Sequence, residues 1–264
     1  MNNPLARLPK NTKKNIRVFH RALIAFWRRY PKSLTILNRS QLKETYKAEF
    51  EYIWHKSVTP IPTRGDERTR YNRINNLEQA IRSLNNLLIK PGQVISLVTA
   101  IGSTTKANGY LDGPVFVNGS VRSDVGGGLC LIATNLYQLF LYSGFEIIER
   151  HNHSIDAYGS DRFYTLGEDA AISSAYKDLV VKNSFNVPLH LQIMLSGTVV
   201  QSSLCSIIKN QSKIHVESFV LDKHYPDEKQ KQTGWTVYTT RLIQKDSASR
   251  WTNDYSAWSR YSPF

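Results

Sequence analysis

The hydrophobic pattern of the chain changes along its length, from helical spacing to short strand-like runs. Two stretches, residues 70–89 and 131–142, place apolar side chains near every third or fourth position, which predicts two amphipathic helices. Runs such as DLVVKNS, LHLQIML and VVQSSLCSI follow and are joined by turn residues. Because helices and strands do not alternate as in βαβ units, this order predicts an α+β fold with helices packed on an antiparallel β-sheet.

Charge is concentrated at one end of the chain. Residues 1–40 hold ten Lys and Arg and no acidic residue, within a 264-residue chain of net charge +13. Residues 12–30 of this arm predict a basic amphipathic helix that stops at Pro31. Such a helix either docks on the domain or lies on an anionic membrane surface. Charge alone gives no sequence specificity and no recognised module is present, so we expect no specific nucleic-acid partner.

Composition divides the chain into three segments. Residues 1–68 are interpreted as the basic N-terminal arm and a Pro- and Gly-containing linker, residues 69–218 as the main domain, and residues 219–264 as a polar C-terminal tail. No signal-peptide pattern and no apolar run of about 20 residues is visible, so we expect a cytoplasmic protein, peripheral to the membrane at most. No sequence motif indicates a metal or an organic cofactor, and none is expected.

A glycine turn and a cysteine form the segment with the strongest chemical implication. In GGGLC, Cys130 lies at the predicted start of a helix, where free N–H groups and the helix dipole stabilise a thiolate. The next segment, FEIIERHNHSI, predicts a strand with His151 and His153 on one face. An imidazole beside a thiol is the minimal activated nucleophile. Two alternatives stay open: a buried inert thiol, or a metal site formed by Cys130, His151 and His153.

Several motifs together resemble the VanW family, which is named for an accessory protein of vancomycin-resistance gene clusters. They are GGGLC, TNLYQLFLYSGFEIIERHNHS, YTLGEDAAIS and DLVVKNS, with NRINNLEQAIRSLNNLLIKPGQVISL upstream. The resemblance covers roughly residues 70–200. One departure is Leu131, where the family usually has Gln after the cysteine.

The resemblance implies cysteine-dependent acyl transfer or hydrolysis, similar to an L,D-transpeptidase, on peptidoglycan stem peptides or their precursors, with a link to glycopeptide resistance. The alternative is a non-catalytic binding or accessory module of the same family. Cysteine on a helix, followed by histidine and acid on strands, also resembles the layout of papain and the transglutaminases.

Matched position by position, the family motifs imply a role for each site residue. Cys130 would be the nucleophile, His153 the base and Asp169 the acid that orients it, with His151 as the alternative base. The remaining candidates are the oxyanion donors Gly126, Gly127 and Gly128, and two acids that could replace Asp169, namely Asp156 and Asp161.

Overall fold

The computed structural model describes residues 50–264 apart from 118–119, 174–175, 229 and 231, together with positions 12, 16, 19, 20, 23, 35 and 36. The α-helices within residues 50–264 are α1 (Glu67–Leu84), α2 (Leu97–Ile101) and α3 (Cys130–Ser143). The strands, in chain order, are β1 (Thr35–Ile36), β2 (Tyr52–Pro60), β3 (Leu87–Ile89), β4 (Val94–Ser96), β5 (Asp112–Val117), β6 (Ser120–Val125), β7 (Glu146–Glu149), β8 (Val180–Lys182), β9 (Leu189–Ser196), β10 (Val199–Ser206), β11 (Lys213–His224), β12 (Gly234–Gln244) and β13 (Thr252–Tyr261).

Helix α1 forms where the first amphipathic pattern predicts it. Asp66 caps its N-terminus by accepting a hydrogen bond from the N–H of Thr69 at 2.8 Å. Leu77, Ala80 and Leu84 recur at helical spacing and are buried. The predicted helix to residue 89 is too long, because the chain leaves the helix after Leu84 and then forms β3.

Helix α3 lies in the centre of the hydrophobic core and contacts β2 and β10. Its apolar side chains are buried nearly all round, including Ile132, Leu136 and Leu139, as expected of a helix surrounded by protein. Gly144 ends it in the left-handed conformation, with φ of 84°. The predicted helix over 131–142 and its glycine cap are therefore confirmed.

Antiparallel sheets surround this helix. A five-stranded sheet has the order β1-β3-β9-β10-β2, and a three-stranded sheet has the order β4-β8-β7. Strands β9 and β10 form a hairpin whose register pairs Leu195 with Val200. Strands β5 and β6 form a separate two-stranded hairpin that ends just before the glycine turn.

The C-terminal segment corrects the interpretation of residues 219–264 as a polar tail. Most of it belongs to a third sheet, of order β11-β12-β13. In β12 the buried face is formed by Val237, Thr239, Arg241 and Ile243. Threonine and arginine on the buried face hide the alternation of apolar and polar residues on which strand prediction depends.

The predicted fold class is also wrong. Antiparallel strands predominate over the few helices, so the fold is not the papain-like α+β arrangement of helices packed on one sheet. Strand β7 ends at Glu149, which leaves His151 and His153 in an irregular segment. Their spacing of two residues therefore does not place them on one face of a strand.

Little of the basic arm lies within the described residues. Thr12, Ile16, Phe19, His20 and Leu23 are helical and exposed, and Phe19 is 71% exposed. The rest of the predicted helix over 12–30 lies outside the described residues. In the part of the chain that the structure describes, no helix combines the length and apolar character needed to cross a membrane.

Candidate active site

Cys130 is the first residue of α3, and its surroundings favour an anion. The preceding residue, Leu129, provides no side-chain cap for the helix. Among the described residues, no acceptor is found for the N–H groups of Gly128 and Cys130. Uncapped N–H groups and the helix dipole place partial positive charge at this end of α3. The half-buried sulfur therefore lies where a thiolate is stabilised.

The glycine turn before Cys130 is fixed by contacts with the backbone. Gly126 and Gly128 have positive φ angles of 79° and 95°, which glycine adopts without strain. A Cβ atom on Gly127 would lie 2.1 Å from the carbonyl of Gly113, so the two backbones are in direct contact. The buried side chain of Asn76 donates to the Gly127 carbonyl at 3.0 Å.

The proposed oxyanion donors need a correction. The N–H of Gly126 donates to the carbonyl of Leu111 at 3.0 Å, and that of Gly127 donates to the carbonyl of Asp124 at 3.1 Å. Both groups are therefore engaged in the turn itself. Of the three glycines only Gly128 keeps an N–H without an acceptor among the described residues, and the N–H of Cys130 joins it.

His153 lies between Cys130 and Asp169. Its Nδ1 is 2.5 Å from Oδ2 of Asp169, and its backbone N–H donates to the same oxygen at 2.7 Å. These two bonds fix the ring through Nδ1 and the backbone. The thiol of Cys130 donates to the carbonyl of Ile172 at 3.7 Å, and its ionisation is coupled to that of His153. The imidazole also stacks on Tyr164, with centroids 5.9 Å apart and planes inclined by 11°.

Asp169 is fully buried, and donors occupy both of its carboxylate oxygens. Arg150 donates to Oδ1 at 2.8 Å, and the hydroxyl of Tyr261 donates to the same atom at 2.5 Å. Arg150 also donates to the carbonyl oxygen of Asp169 at 2.6 Å. A buried carboxylate with an ion-pair partner and several donors remains charged and fixed in position.

The electrostatics of the three groups are coupled. Burial alone would lower the pKa of His153, but the hydrogen bonds to Asp169 and Cys130 outweigh it and raise that pKa to about 10. Burial would raise the pKa of Cys130, but the hydrogen bond and charge of His153 bring it below its usual value. Burial opposes the ionisation of Asp169 as well, yet Arg150 and then His153 hold its pKa far below the ordinary range. The directions favour a thiolate–imidazolium pair at neutral pH.

Other predicted candidates are bound to groups other than Cys130. His151 pairs with Glu149 through Nε2 at 3.0 Å. Asp156 is bound by Arg162 at 2.7 Å, and Asp161 by an arginine of the linker at 2.8 Å. The described residues contain no group of three or more side chains arranged to hold a metal ion, so the metal alternative has no geometric support.

Sequence reasoning missed three residues that support the site. They are Asn76, which binds the glycine turn, and Arg150 and Tyr261, which bind Asp169. Arg150 precedes His153 in the family motif, so its position in the sequence could have indicated it. Tyr261 lies 92 residues after Asp169, and nothing in the sequence indicated its role.

A cavity of about 720 Å³ lies beside the sulfur. It is within the range of small-molecule and peptide sites. Aromatic side chains form part of its wall, and they are Tyr158, Phe163, Tyr164 and Tyr176. The cavity gives a ligand access to both Cys130 and His153.

Together these features define a protein with a cysteine at a helix N-terminus and a histidine bound to a buried aspartate, both at the edge of one cavity. The chain belongs to the family described as VanW like protein, whose model matches residues 72–205, half of the chain. The resemblance stated from the sequence is thus confirmed.

Two curated relatives are similar to the chain. The Vancomycin B-type resistance protein VanW of Enterococcus faecalis (strain V583) is 33% identical over 125 residues, which cover 47% of this chain and 46% of the relative. The Uncharacterized protein YoaR of Bacillus subtilis (strain 168) is 26% identical over 186 residues, which cover 65% of this chain and 59% of the relative. The chain therefore spans about half the length of these relatives. No solved structure matches the chain significantly.

Proposed function

We propose that the protein is a cysteine-dependent acyltransferase, with Cys130 as nucleophile, His153 as acid and base, and Asp169 as the group that orients the imidazole. The observation that supports this most is the hydrogen bond between buried Asp169 and His153, whose imidazole lines the same cavity as Cys130 and is electrostatically coupled to it. A structural cysteine has no need of an imidazole whose second nitrogen is fixed by a buried carboxylate.

The reaction would follow from this geometry in two stages. The thiolate of Cys130 attacks the carbonyl carbon of an amide, and the oxygen that becomes negative accepts bonds from the N–H groups of Gly128 and Cys130. As the C–N bond breaks, the His153 imidazolium gives its proton to the leaving amine. An acceptor amine or water then loses a proton to His153 and attacks the thioester, which restores the thiolate.

The proposed acyl donor is a peptidoglycan stem peptide or its precursor. Membership of the family and the name of the E. faecalis relative, a vancomycin B-type resistance protein, support this class and a role in glycopeptide resistance. The cavity volume of about 720 Å³ is compatible with a short peptide. An L,D-transpeptidase-like exchange would release a terminal D-amino acid and transfer the acyl group to another amine.

The second candidate is a non-catalytic binding module, which the departure at Leu131 favours. Leu131 is 3% exposed and belongs to the hydrophobic core. A glutamine amide, which could donate a hydrogen bond to an oxyanion, is therefore missing directly after the cysteine.

Mass spectrometry separates the two candidates. The full chain is incubated with a stem tetrapeptide and a D-amino acid acceptor, and exchange of the terminal residue and the mass of an acyl-enzyme are followed. We expect both signals, and their loss in Cys130→Ser. Cys205→Ser is the matched control, because Cys205 is buried in β10 away from the cavity. Absence of exchange and adduct with the wild-type chain, despite measurable peptide binding, would favour the binding module.

A further inference from the structure

Arg73 is a buried cation on the wall of the cavity beside Cys130. It lies on α1, is 4% exposed, and its Cγ lies 3.0 Å from where a Cβ on Gly128 would be. The side chain therefore lies against the turn that leads to the nucleophile. A guanidinium is always charged in a protein, so a full positive charge is present at this wall.

The contacts of Arg73 satisfy hydrogen bonds but do not neutralise its charge. Its two terminal nitrogens donate to the carbonyl oxygens of Pro62 and Arg64. No carboxylate lies within ion-pair distance of Arg73 among the described residues. Burial lowers the pKa of Arg73. The charge of Tyr158 raises this pKa, and the charge of Arg70 lowers it. The bonds to Pro62 and Arg64 use two of the five N–H donors of the guanidinium.

The cavity is lined by more basic than acidic side chains. Lys177 also lines it, interacts electrostatically with Cys130, and donates to a backbone carbonyl, that of Asn152, at 3.4 Å. Lys106 is paired with Asp112 at 2.8 Å. Of the described residues that line the cavity, Asp124 alone carries a carboxylate, and it is exposed. A ligand that fills this cavity gains most if it is an anion.

Tyr158 lines the same cavity, and the ionisation of its hydroxyl is coupled electrostatically to both Arg73 and Cys130. The loop that holds Tyr158 is bound by Arg64, which donates to the Ala157 carbonyl at 3.0 Å. The cation and the nucleophile therefore line the same cavity.

We propose that Arg73 is a specificity-determining residue that binds a free carboxylate of the peptide whose amide carbonyl faces Cys130. The inference rests on the proposed function for the choice of a peptide as ligand. A guanidinium with free N–H donors binds a carboxylate in the planar, two-bond geometry that a lysine cannot reproduce. The carboxylate is either the C-terminus of the peptide, which leaves with the released amino acid, or an acidic side chain.

Binding to Cys130→Ser tests this without any reaction at sulfur. Affinities are measured calorimetrically for N-acetyl-L-alanyl-D-alanine and for the same dipeptide with an amidated C-terminus. We expect the free acid to bind about tenfold more tightly, as one charge-assisted contact predicts. A third probe, N-acetyl-L-glutamyl-D-alaninamide, has its carboxylate on the side chain and distinguishes the two sources. Equal binding of all three probes would overturn the proposal.

Variants assign the preference to Arg73. In Arg73→Met the acid-to-amide ratio should fall to about one. Arg82→Met is the matched control, because Arg82 lies on the same helix, exposed and outside the cavity. If Arg73→Met does not fold, Arg73→Lys should reduce the ratio about threefold. A ratio lost in Lys177→Met and kept in the Arg73 variants would overturn the assignment.

This design keeps the two proposals apart. If Cys130→Ser prefers the free acid but the wild-type chain shows no turnover, the carboxylate site is supported and the proposed acyltransferase activity is contradicted. If acid and amide peptides turn over at equal kcat/KM, the activity is supported and the role of Arg73 is contradicted.

Discussion

The hydroxyl of Tyr261 donates a 2.5 Å hydrogen bond to Oδ1 of Asp169, across 92 residues of sequence. Tyr261 ends β13, is fully buried, and also accepts a bond from the N–H of Gly167 at 2.9 Å. The family model ends at residue 205. A side chain outside the matched region thus helps to fix the acid of the candidate triad.

Replacement of Tyr261 by Phe should destabilise the fold. The change removes a donor from a buried carboxylate and an acceptor from a backbone N–H, which together correspond to about 2 kcal/mol. Urea denaturation measures the free energy of unfolding. Tyr225→Phe is the control, because Tyr225 is 73% exposed, and it should change stability by less than about 0.5 kcal/mol. Equal effects of the two variants would contradict the role given to Tyr261.

The pH dependence of alkylation reports the state of Cys130. Its lowered pKa predicts that the iodoacetamide rate inflects below about pH 8.5, the usual thiol value. Asp169→Asn should raise this inflection and slow labelling at pH 7 about tenfold, because the imidazolium loses its carboxylate partner. Cys205→Ser should leave the profile unchanged, since burial raises the pKa of Cys205. An inflection in the wild type at or above the usual value would contradict a stabilised thiolate.

The stability of the fold should depend on the charge of Asp169. Its folded pKa lies below the unfolded value of about 4, so the charge contributes stability above pH 4 that is lost as pH falls. Asp169→Asn should be less stable than the wild type at pH 7, because Arg150 loses its partner, and the difference should narrow toward pH 2. Unfolding free energies across this range measure the effect. A constant difference would mean that the pKa of Asp169 does not change on folding, which would contradict a lowered folded pKa.

Arg241 joins the C-terminal sheet to the end of α3. Its buried guanidinium donates to the carbonyls of Leu141 and Phe145 at 2.9 Å, and pairs with Asp254 at 2.8 Å. Arg241→Met should lower the free energy of unfolding by about 3 kcal/mol, since buried carbonyls at a helix C-terminus lose their donor. Arg250→Met, exposed in the turn before β13, should cost less than about 0.5 kcal/mol. Thermal denaturation of both variants tests the difference.

We also propose that the basic arm contacts an anionic membrane surface. Ile16, Phe19 and Leu23 are exposed at helical spacing within a segment rich in Lys and Arg. Binding to vesicles with anionic lipid should weaken as salt rises. Phe19→Glu should reduce it more than Thr12→Glu, which changes the charge equally but removes no apolar side chain. Vesicle binding that does not change with salt or with either substitution would contradict the proposal.

The sequence was sufficient for the parts of the fold that local physics determines. Helix α3 combines an apolar pattern with a glycine that adopts a positive φ at its end, and both signals are local. The order of Cys130, His153 and Asp169 came from the family motif. Helix α1 was predicted with its buried stripe, although its last turn was misplaced.

The remaining features depend on contacts between distant residues. Strand β12 buries Thr239 and Arg241, whose polar groups find partners only in the folded protein. The donor role of Tyr261 depends on where β13 packs, and no local pattern encodes it. The alternation that suggested a strand at His151 and His153 was outweighed by side-chain bonds to Glu149 and Asp169.

The contact between Gly127 and Gly113 limits how the protein can be re-engineered. A Cβ on either glycine would lie within 2.5 Å of the opposite backbone, so a side chain at either position would force the two backbones apart. Altered ligand selectivity must therefore come from residues whose side chains line the cavity, among them Arg73, Tyr158 and Lys177. A mutational library aimed at those side chains would sample new specificities, whereas one aimed at Gly113 and Gly127 would sample unfolding.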